Sequence, residues 1–373
     1  MNIAVNTRLL LKNKLEGIGW FSYETLKRIT QAHPEHKFFF IFDRTYSPEF
    51  KFSDNVIPII AGPPTRHPVL WFIWFEMVIP RVLKKIDADI FLSTDGFVSL
   101  RTKIPQISVI HDINFIHNPK QLPFLVNMYY NYFFPKYAKR AKALGTVSEY
   151  SKRDICNTFG IDSDDVTVCY NGANSIYTPI SDEEKHALRE KYSDSKDYFI
   201  FVGAVTPRKN IPGLLRSFEK FKLRGDFPQK LVVVGSELHK TPEIEKILEQ
   251  MTFKSDVIFT GRLDLSSLHK YMASALALVY IPYFEGFGIP LVEAMYCDIP
   301  IISGDRTSLP EVVGDAALIC SPDDHDKVAE HMESLVIDEK LRESLIKKAI
   351  LQRQKFSWDK SAERLWQCVE KVI

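Results

Sequence analysis

The chain alternates short apolar runs with longer segments of helical periodicity, first over residues 3–147 and again over residues 198–320. The apolar runs are nearly continuous, as expected of strands that are buried on both faces of a parallel sheet. Strands separated by helices predict an α/β domain in which helices cover both faces of the sheet. The pattern therefore predicts two tandem Rossmann-like, doubly wound domains.

Between the two series the periodicity lapses into turn-forming and charged residues, which predicts a linker over residues 173–197. The predicted domains are then residues 1–172 and residues 198–356. The apolar positions of residues 357–373 have helical spacing and predict a terminal helix. Ligands of doubly wound sheets bind at the carboxyl ends of the strands, so two facing domains predict a cleft.

The sequence EGFGIPLVE at residues 285–293 follows an apolar run that predicts a buried strand. Gly286 and Gly288 permit a tight turn, and Pro290 suits a helix start because its missing N–H would have no partner there. A glycine loop that opens a helix favours phosphate, because free N–H groups and the helix dipole both attract anions. The carboxylates of Glu285 and Glu293 would repel phosphate, so we expect them to bind hydroxyl groups. A nucleotide sugar carries both groups.

Two cations follow the first predicted strand of the second domain. Arg208 and Lys209 come shortly after Gly203, where a ligand at the sheet edge would lie. A guanidinium can bind two phosphate oxygens and an ammonium supplies a compact charge. A solvated Arg–Lys pair in a loop explains these residues equally well by themselves. The glutamate loop in the same domain favours a diphosphate site.

The first domain offers a glycine turn and a histidine. Gly17 and Gly19 precede a predicted helix, with dinucleotide binding or a plain helix start as alternatives. The third glycine of a dinucleotide fingerprint is missing and the first strand is too distant, which weakens the first alternative. His111 directly follows a predicted strand, where an imidazole can bind a sugar hydroxyl or carry a proton. A histidine with a purely structural role is the other interpretation.

Composition narrows the class of protein. The 373 residues carry a formal net charge of +1, so no overall basic character points to nucleic acid. Residues 1–180 hold 21 lysines and arginines against 16 aspartates and glutamates, a mild excess that scatter in surface charge also explains. Five cysteines without Cys-x-x-Cys spacing predict reduced thiols in a cytoplasmic protein, and no signal peptide is expected at the N-terminus.

A contact with a membrane surface is one interpretation of the first domain. The most apolar window, residues 68–80, contains Glu76 and is too short to span a bilayer. Residues 71–75 and a set of basic residues fit a lipid-linked glycan at a membrane surface, and ordinary packing of an amphipathic helix explains them as well. The basic residues are Lys136, Lys139, Arg140 and Lys142.

These motifs together resemble the group 1, family 4 retaining glycosyltransferases of the GT-B fold, which include many bacterial mannosyl- and glucosyltransferases. The most specific match is the Glu-x7-Glu signature at residues 285–293, and further matches lie at residues 202–210 and 308–311. The resemblance covers nearly the whole chain and implies that the C-terminal helix crosses back onto the N-terminal domain. The sequence departs from the family pattern at one place, because Ala204 follows Gly203 and the arginine stands at position 208.

The resemblance also implies roles for individual residues. Glu293 would hold the ribose hydroxyls, Glu285 the donor sugar and His111 the transferred sugar, while Arg208 and Lys209 would neutralise the diphosphate. The other residues expected to bind the donor are Gly17, Gly19, Gly203, Arg262, Leu263, Phe287, Gly288 and Ile289. Glu285, His111, Lys209 and Arg208 form the expected catalytic set.

The implied reaction moves a hexose of the mannose or glucose type from a GDP- or UDP-linked sugar to a glycan or lipid-linked acceptor in bacterial polysaccharide synthesis. The resemblance implies retention of configuration, with no metal ion and no cofactor. A nucleotide-sugar 2-epimerase and a catalytically silent nucleotide-sugar-binding protein are the alternatives. The sequence leaves the donor base, the acceptor and the oligomeric state open.

Overall fold

The computed structural model describes residues 1–236 and 242–373. The chain forms two compact units, one made of Met1–Asn171 with Ser357–Ile373 and the other of Gly172–Phe356. Each unit is built on one parallel sheet with helices in the crossover connections. The prediction of two parallel-sheet, Rossmann-like domains is confirmed.

The described helices and strands follow in chain order. Those of residues 1–171 are β1 Asn2–Asn6, α1 Gly17–Ala32, β2 Lys37–Phe42, β3 Val56–Ile60, α2 Pro68–Ile73, α3 Ile79–Lys85, β4 Ile90–Ser93, β5 Gln106–Val109, α4 Asn114–His117, α5 Phe124–Arg140, β6 Ala143–Thr146, α6 Glu149–Phe159 and β7 Val166–Val168. Those of the second unit are α7 Asp182–Ser193, β8 Tyr198–Val202, α8 Ile211–Leu223, β9 Lys230–Val234, α9 Pro242–Gln250, β10 Val257–Gly261, α10 Leu265–Ala273, β11 Ala277–Tyr280, α11 Ile289–Tyr296, β12 Ile301–Gly304, α12 Leu309–Val313, β13 Leu318–Cys320, α13 His325–Ile337 and α14 Glu339–Gln352. The last helix is α15 Trp358–Glu370.

Strand order shows where each unit is expected to bind a ligand. The first sheet has the order β3-β2-β1-β4-β5-β6-β7 and the second β10-β9-β8-β11-β12-β13. The order reverses direction between β1 and β4 in the first sheet and between β8 and β11 in the second. Ligands of doubly wound sheets bind beyond the carboxyl ends of the strands at such a reversal. The loops after β8 and β11 therefore occupy the expected ligand-binding position.

An edge strand and a helix are among the elements that the sequence analysis did not predict. Strand β3 was not predicted because Pro58 interrupts its apolar run, but β3 lies at the edge of the sheet, where a missing N–H is tolerated. The segment predicted as a linker, residues 173–197, contains α7 and belongs to the second unit. Ser181 and Glu184 form a capping box at the start of α7, a signal that the sequence carried.

Within the first unit, the C-terminal helix α15 packs against α1. Arg28 on α1 forms an ion pair of 2.5 Å with Asp359 on α15. The Trp366 ring stacks on the His33 ring with 3.7 Å between centroids, and Trp366 itself is only 7% exposed.

None of the helices in residues 1–236 and 242–373 is long and apolar enough to cross a bilayer.

Replacing Trp366 with alanine is expected to destabilise the first unit by about 3 kcal/mol, because the substitution removes a large buried ring and leaves a cavity. Urea denaturation followed by circular dichroism measures the effect. Leu223→Ala, at a position 66% exposed on α8, is the control and should change the free energy of unfolding by less than about 0.5 kcal/mol. Equal stability of the two variants would contradict this packing.

Candidate active site

The loop after β8 is fixed by Asn210. Its backbone adopts a φ of +56°, and its side-chain oxygen accepts a hydrogen bond of 3.1 Å from the Gly213 N–H at the start of α8. Its amide nitrogen donates to the Ile281 carbonyl oxygen at 3.2 Å. Because Ile281 follows β11, the strand next to β8, Asn210 holds the two preceding cations against the neighbouring loop.

The loop after β11 is held by hydroxyl groups from the loop before α12. The Glu285 N–H donates to the Thr307 hydroxyl at 3.2 Å. The Ser308 hydroxyl bridges the carbonyl oxygens of Glu285 and Phe287 at 3.0 and 3.1 Å. Ser308, in the matching segment at residues 308–311, therefore fixes the backbone that presents Glu285.

Glu285, Arg208 and Lys209 come together as a buried ion cluster. Glu285 is 7% exposed, and its Oε1 accepts a hydrogen bond of 2.8 Å from Arg208 Nη1. The Lys209 ammonium binds the same oxygen. Burial opposes ionisation of Glu285, but the two positive charges outweigh burial and lower the pKa of the carboxyl group. We had expected Glu285 to meet hydroxyl groups, whereas its partners in the structure are the two cations.

Tyr280 at the end of β11 is a further member of this cluster. Its hydroxyl accepts a hydrogen bond of 2.6 Å from the Lys209 ammonium. Burial and the nearby Glu285 carboxylate raise the pKa of Tyr280, so the phenol stays neutral. Tyr280 was missed because it ends an apolar run that predicted a strand. Its signal was the one polar atom in that run, at the carboxyl end of the strand.

Glu293 lies on α11 in a very different environment. Burial raises the pKa of its carboxyl group to about 7, and the Tyr177 hydroxyl partly offsets that rise. Tyr177 is buried and comes from the segment predicted as a linker, so sequence analysis did not select it. The two glutamates of the Glu-x7-Glu signature therefore differ in charge state near neutral pH.

The residues between the two glutamates form a turn and a helix start. Gly288 has a φ of +97°, which favours glycine, and it precedes α11, whose first residue is Ile289. The Phe287 ring is 3% exposed and packs edge-on against Phe356 at 5.5 Å between centroids. Any contact of Phe287 with a ligand would therefore be made through its backbone.

The carboxyl ends of β8 and β9 approach each other closely. A Cβ atom on Gly235 would lie 1.9 Å from the Gly203 carbonyl oxygen, so glycine is required at Gly235. Arg262 and Leu263 follow β10, which lies two strands from β8 at the edge of the sheet. These two residues share the sheet edge with the ion cluster but are separated from it by the end of β9.

In the first unit, His111 follows β5. Its Nε2 lies 2.9 Å from the Thr94 carbonyl oxygen, and since a carbonyl can only accept, Nε2 carries the proton. Burial lowers the pKa of His111, so the ring is neutral near pH 7 and its Nδ1 is an acceptor. The Phe21 ring of α1 packs edge-on against the imidazole at 5.0 Å. A neutral acceptor suits a hydroxyl group better than a phosphate.

Gly17 and Gly19 form the first turn of α1 in the same unit. A Cβ atom on Gly19 would lie 3.2 Å from the Leu9 carbonyl oxygen and 3.2 Å from Leu15 Cδ2. Gly19 thus lets the preceding loop pack directly on the helix. Close packing therefore explains why one of the two positions, Gly19, is a glycine.

A buried polar cluster at the reversal between β1 and β4 was not predicted. Arg8 Nε donates to Asp95 Oδ2 at 2.6 Å, and Asn6 Nδ2 donates to Asp95 Oδ1 at 2.8 Å. The Arg8 guanidinium also lies 4.1 Å above the Phe97 ring. Asn6 ends β1, and Arg8 and Asp95 each lie two residues beyond their strands, which was the available signal.

One group of side chains in the described residues could hold a metal ion: His33, Glu35 and His36, whose ligand atoms lie within 4.8 Å of one another. They lie in the turn before β2, at the amino ends of the strands. Gly17, Gly19 and His111 also belong to the first unit. The structure brings Arg208, Lys209 and Glu285 together at the carboxyl ends of the strands of the second sheet. The three possible metal ligands lie at the amino ends of the strands of the first sheet.

Comparison with known protein families matches both units. The family model described as "Glycosyl transferases group 1" matches residues 182–352, and the model described as "Glycosyltransferase Family 4" matches residues 16–175. The first match covers the whole sheet of the second unit, including the loops after β8 and β11, and the second covers the sheet of the first unit except β1.

Individual proteins agree with this assignment. The chain is 29% identical to O-antigen chain mannosyltransferase B of Escherichia coli over 94% of both proteins. It is 28% identical to O-antigen chain mannosyltransferase RfbU of Salmonella typhimurium over 72% of this chain and 71% of that protein. The crystal structure of Anabaena HepE in complex with UDP and glucose superposes with a TM-score of 0.76 at 16% identity over 99% of both chains. The chain belongs to the group 1 glycosyl transferases, family 4.

Proposed function

We propose that this glycosyltransferase moves a hexose, of the mannose or glucose type, from a nucleoside diphosphate sugar to a glycan or lipid-linked acceptor in bacterial polysaccharide or lipopolysaccharide synthesis. The observation that carries the proposal is the ion cluster of Arg208, Lys209 and Glu285 at the strand reversal of the second sheet. Similarity to two O-antigen mannosyltransferases supports mannose as the sugar.

The donor diphosphate is proposed to bind at Arg208, Lys209 and the N-terminus of α11. Gly203 and the backbone of Phe287, Gly288 and Ile289 would contact it, and Arg262 with Leu263 would lie near the base. GDP and UDP are the two expected nucleotides. The guanidinium and the helix N-terminus both favour anions, and Lys209 is held in place by Tyr280. Each group is positioned before a ligand arrives.

The proposed reaction retains configuration at the anomeric carbon. The anomeric C–O bond to the β-phosphate breaks as the acceptor hydroxyl attacks from the same face, and the departing phosphate oxygen accepts the hydroxyl proton. The diphosphate gains negative charge along this path, so Arg208 and Lys209 stabilise the transition state more than the ground state. No metal ion is required in this scheme because the two cations supply the positive charge.

The glutamates are proposed to divide the donor between them. Glu285 contacts the donor sugar, and its carboxylate meanwhile limits the repulsion between Arg208 and Lys209. Glu293 accepts hydrogen bonds from the ribose hydroxyls. Hydroxyl donors favour a charged acceptor, so ribose binding would favour the ionised form of Glu293, whose pKa of about 7 leaves both forms populated at neutral pH.

The first unit is proposed to recognise the acceptor and to contact the transferred sugar. His111 would accept a hydrogen bond from a hydroxyl of the transferred sugar through Nδ1, the nitrogen left unprotonated by the contact between Nε2 and Thr94. Gly17 and Gly19 would line the donor side of that unit. The proposed place of action is the cytoplasm, in contact with the inner face of the membrane where lipid-linked acceptors lie.

A thermal-shift screen of GDP, UDP and their mannose and glucose conjugates tests the donor. A ligand that binds only the folded state raises the unfolding temperature, and the stabilisation grows with the logarithm of ligand concentration relative to Kd. We expect a GDP- or UDP-sugar to give the largest shift. We also expect the release of nucleoside diphosphate from this donor to depend on an added glycan acceptor. Acceptor-independent release would favour the 2-epimerase, and binding without release would favour a silent binding protein.

Glu285→Gln and Lys209→Met are expected to lower transfer by about tenfold or more each. Lys209→Met removes a cation that stabilises the leaving diphosphate, and Glu285→Gln removes the carboxylate that contacts the donor sugar and holds both cations in place. Their effects on nucleoside diphosphate affinity should have opposite signs. Lys209→Met removes a phosphate partner and weakens binding, whereas Glu285→Gln frees both cations from a carboxylate and strengthens it.

Isothermal titration calorimetry with the nucleoside diphosphate measures this difference. Lys220→Met is the matched control, since Lys220 pairs with Asp326 at an exposed position. Thermal unfolding of each variant shows whether the fold persists. Wild-type turnover in either site variant, or weaker binding in Glu285→Gln than in Lys209→Met, would contradict the proposed roles.

Glu293→Gln is expected to raise stability at pH 8 and to leave it unchanged near pH 4. Folding raises the pKa of Glu293 from its ordinary value of 4.5 to about 7, so the folded state loses stability as the pH rises between these values. Removing the buried charge should restore on the order of 1 to 3 kcal/mol at pH 8.

Urea denaturation at pH 4, 6 and 8 measures the effect. Glu343→Gln is the control, because its side chain is 59% exposed on α14. A pH dependence in Glu293→Gln that parallels the wild type would refute the assignment of the buried charge.

A further inference from the structure

Helix α5 exposes a continuous apolar surface. Phe124 is 78% exposed, Leu125 45%, Met128 53% and Tyr132 58%. With 3.6 residues per turn these positions fall on one side of the helix, and Lys136 and Lys139 continue the same side toward its C-terminal end. We call this set of six side chains the α5 surface. Its first half is apolar and its second half is basic.

The opposite side of α5 packs into the core of the first unit. Tyr129, Phe134 and Tyr137 are buried in the first unit, and the hydroxyl groups of Tyr129 and Tyr137 lie 2.7 Å apart. Trp71 of α2 stacks on Tyr130 at 5.5 Å between centroids. The core therefore uses the buried side of α5 and makes no use of the α5 surface.

Charge around the α5 surface has a single sign along the chain. Residues 113–148 contain no aspartate or glutamate, while they contain four lysines and one arginine. The Arg140 guanidinium is engaged by the Thr102 and Ile104 carbonyl oxygens at 2.5 and 3.3 Å. The exposed lysines of this segment are Lys120, Lys136, Lys139 and Lys142.

The border between the apolar and basic halves has the composition of a membrane interface. The Lys136 ammonium lies 3.2 Å from the centroid of the Tyr132 ring, so the phenol and the cation form a cation–π pair at the surface. Tyrosine and lysine side chains of this kind place an apolar body in the lipid and a polar end among the headgroups. Apolar residues beside lysines are typical of helices that lie on anionic bilayers.

We propose that the α5 surface docks the enzyme on an anionic phospholipid bilayer, with Phe124, Leu125 and Met128 in the interface and the lysines at the headgroups. The proposal deepens the proposed function, on which it rests for the choice of a membrane that holds lipid-linked acceptors. A lipid surface fits better than an acidic protein, because the four apolar side chains lie on one side of a single helix beside lysines, as in helices that lie on anionic bilayers.

Flotation with vesicles of phosphatidylcholine alone, or mixed with phosphatidylglycerol, tests the proposal without donor or acceptor. We expect binding to the mixed vesicles and at least tenfold weaker partitioning to phosphatidylcholine. Raising the salt from 0.05 to 0.5 M should weaken binding, since the lysine contribution is screened. Failure to bind the mixed vesicles at low salt would overturn the proposal.

Two double variants separate the halves of the surface. Phe124→Ser with Met128→Ser should lower partitioning about tenfold. Lys136→Gln with Lys139→Gln should lower it about twenty-fivefold, because each lysine near an anionic surface contributes about fivefold. The matched controls are Leu223→Ser with Leu351→Ser, which lie 66% and 74% exposed elsewhere, and Lys347→Gln with Lys348→Gln on α14. The controls should bind like the wild type.

All variants alter exposed side chains, so their thermal unfolding and their shift with the nucleotide sugar should match the wild type. Unchanged vesicle binding in both α5 variants would overturn the proposal even if transfer is confirmed. Loss of a concentration-dependent dimer in the apolar variant, seen by light scattering without vesicle binding, would assign the surface to self-association instead. Vesicle binding with no donor binding would sink the proposed function and leave the docking surface standing.

Discussion

The arrangement of the second unit depends on one carboxylate that two cations share. Glu285 follows β11, Arg208 and Lys209 follow β8, and the ion pairs connect the carboxyl ends of two adjacent strands. A buried carboxylate without a cation costs several kcal/mol, and two neighbouring cations repel each other. Each charge therefore compensates the others. The cluster keeps two positive charges at the edge of the sheet, where an anionic ligand can exchange partners with Glu285.

The two glutamates of the signature show how environment, not residue type, decides chemistry. They are separated by eight positions, yet the pKa of Glu285 is lowered by two cations, whereas burial beside Tyr177 raises the pKa of Glu293. Glu285 is charged at any physiological pH and suits a permanent electrostatic role. Glu293 changes charge near neutral pH, so hydroxyl groups that hydrogen-bond to it also shift its proton equilibrium.

Local patterns were sufficient to predict the sheets and the loops that carry the ion cluster. Periodicity predicted both parallel sheets, and the glycine-rich loop and the Arg–Lys pair each followed a predicted strand. Partner choice could not be predicted, because which oxygen Lys209 meets depends on strand order. Tyr280 and Tyr177 were missed for the same reason, since a tyrosine in an apolar run or a presumed linker gives no sign of the charge beside it.

The elements that were not predicted were missed for identifiable physical reasons. Pro58 hid an edge strand, and the charged sequence of α7 lacks an apolar stripe long enough to stand out, although its capping box marked the start. The buried Arg8–Asp95 pair shows the same limit in the first unit: each residue follows its strand visibly, but their contact requires β1 and β4 to be neighbours.

Helix α5 meets two independent requirements on its two sides. Its buried side packs the first unit through Tyr129, Phe134 and Tyr137, so the core is complete without the outer side chains. An exposed phenylalanine or methionine adds nothing to folding, and contiguous exposed apolar residues favour association. Because folding does not account for Phe124 and Met128, and the neighbouring lysines favour an anionic surface, binding at an interface is the physical role that remains for this side of the helix.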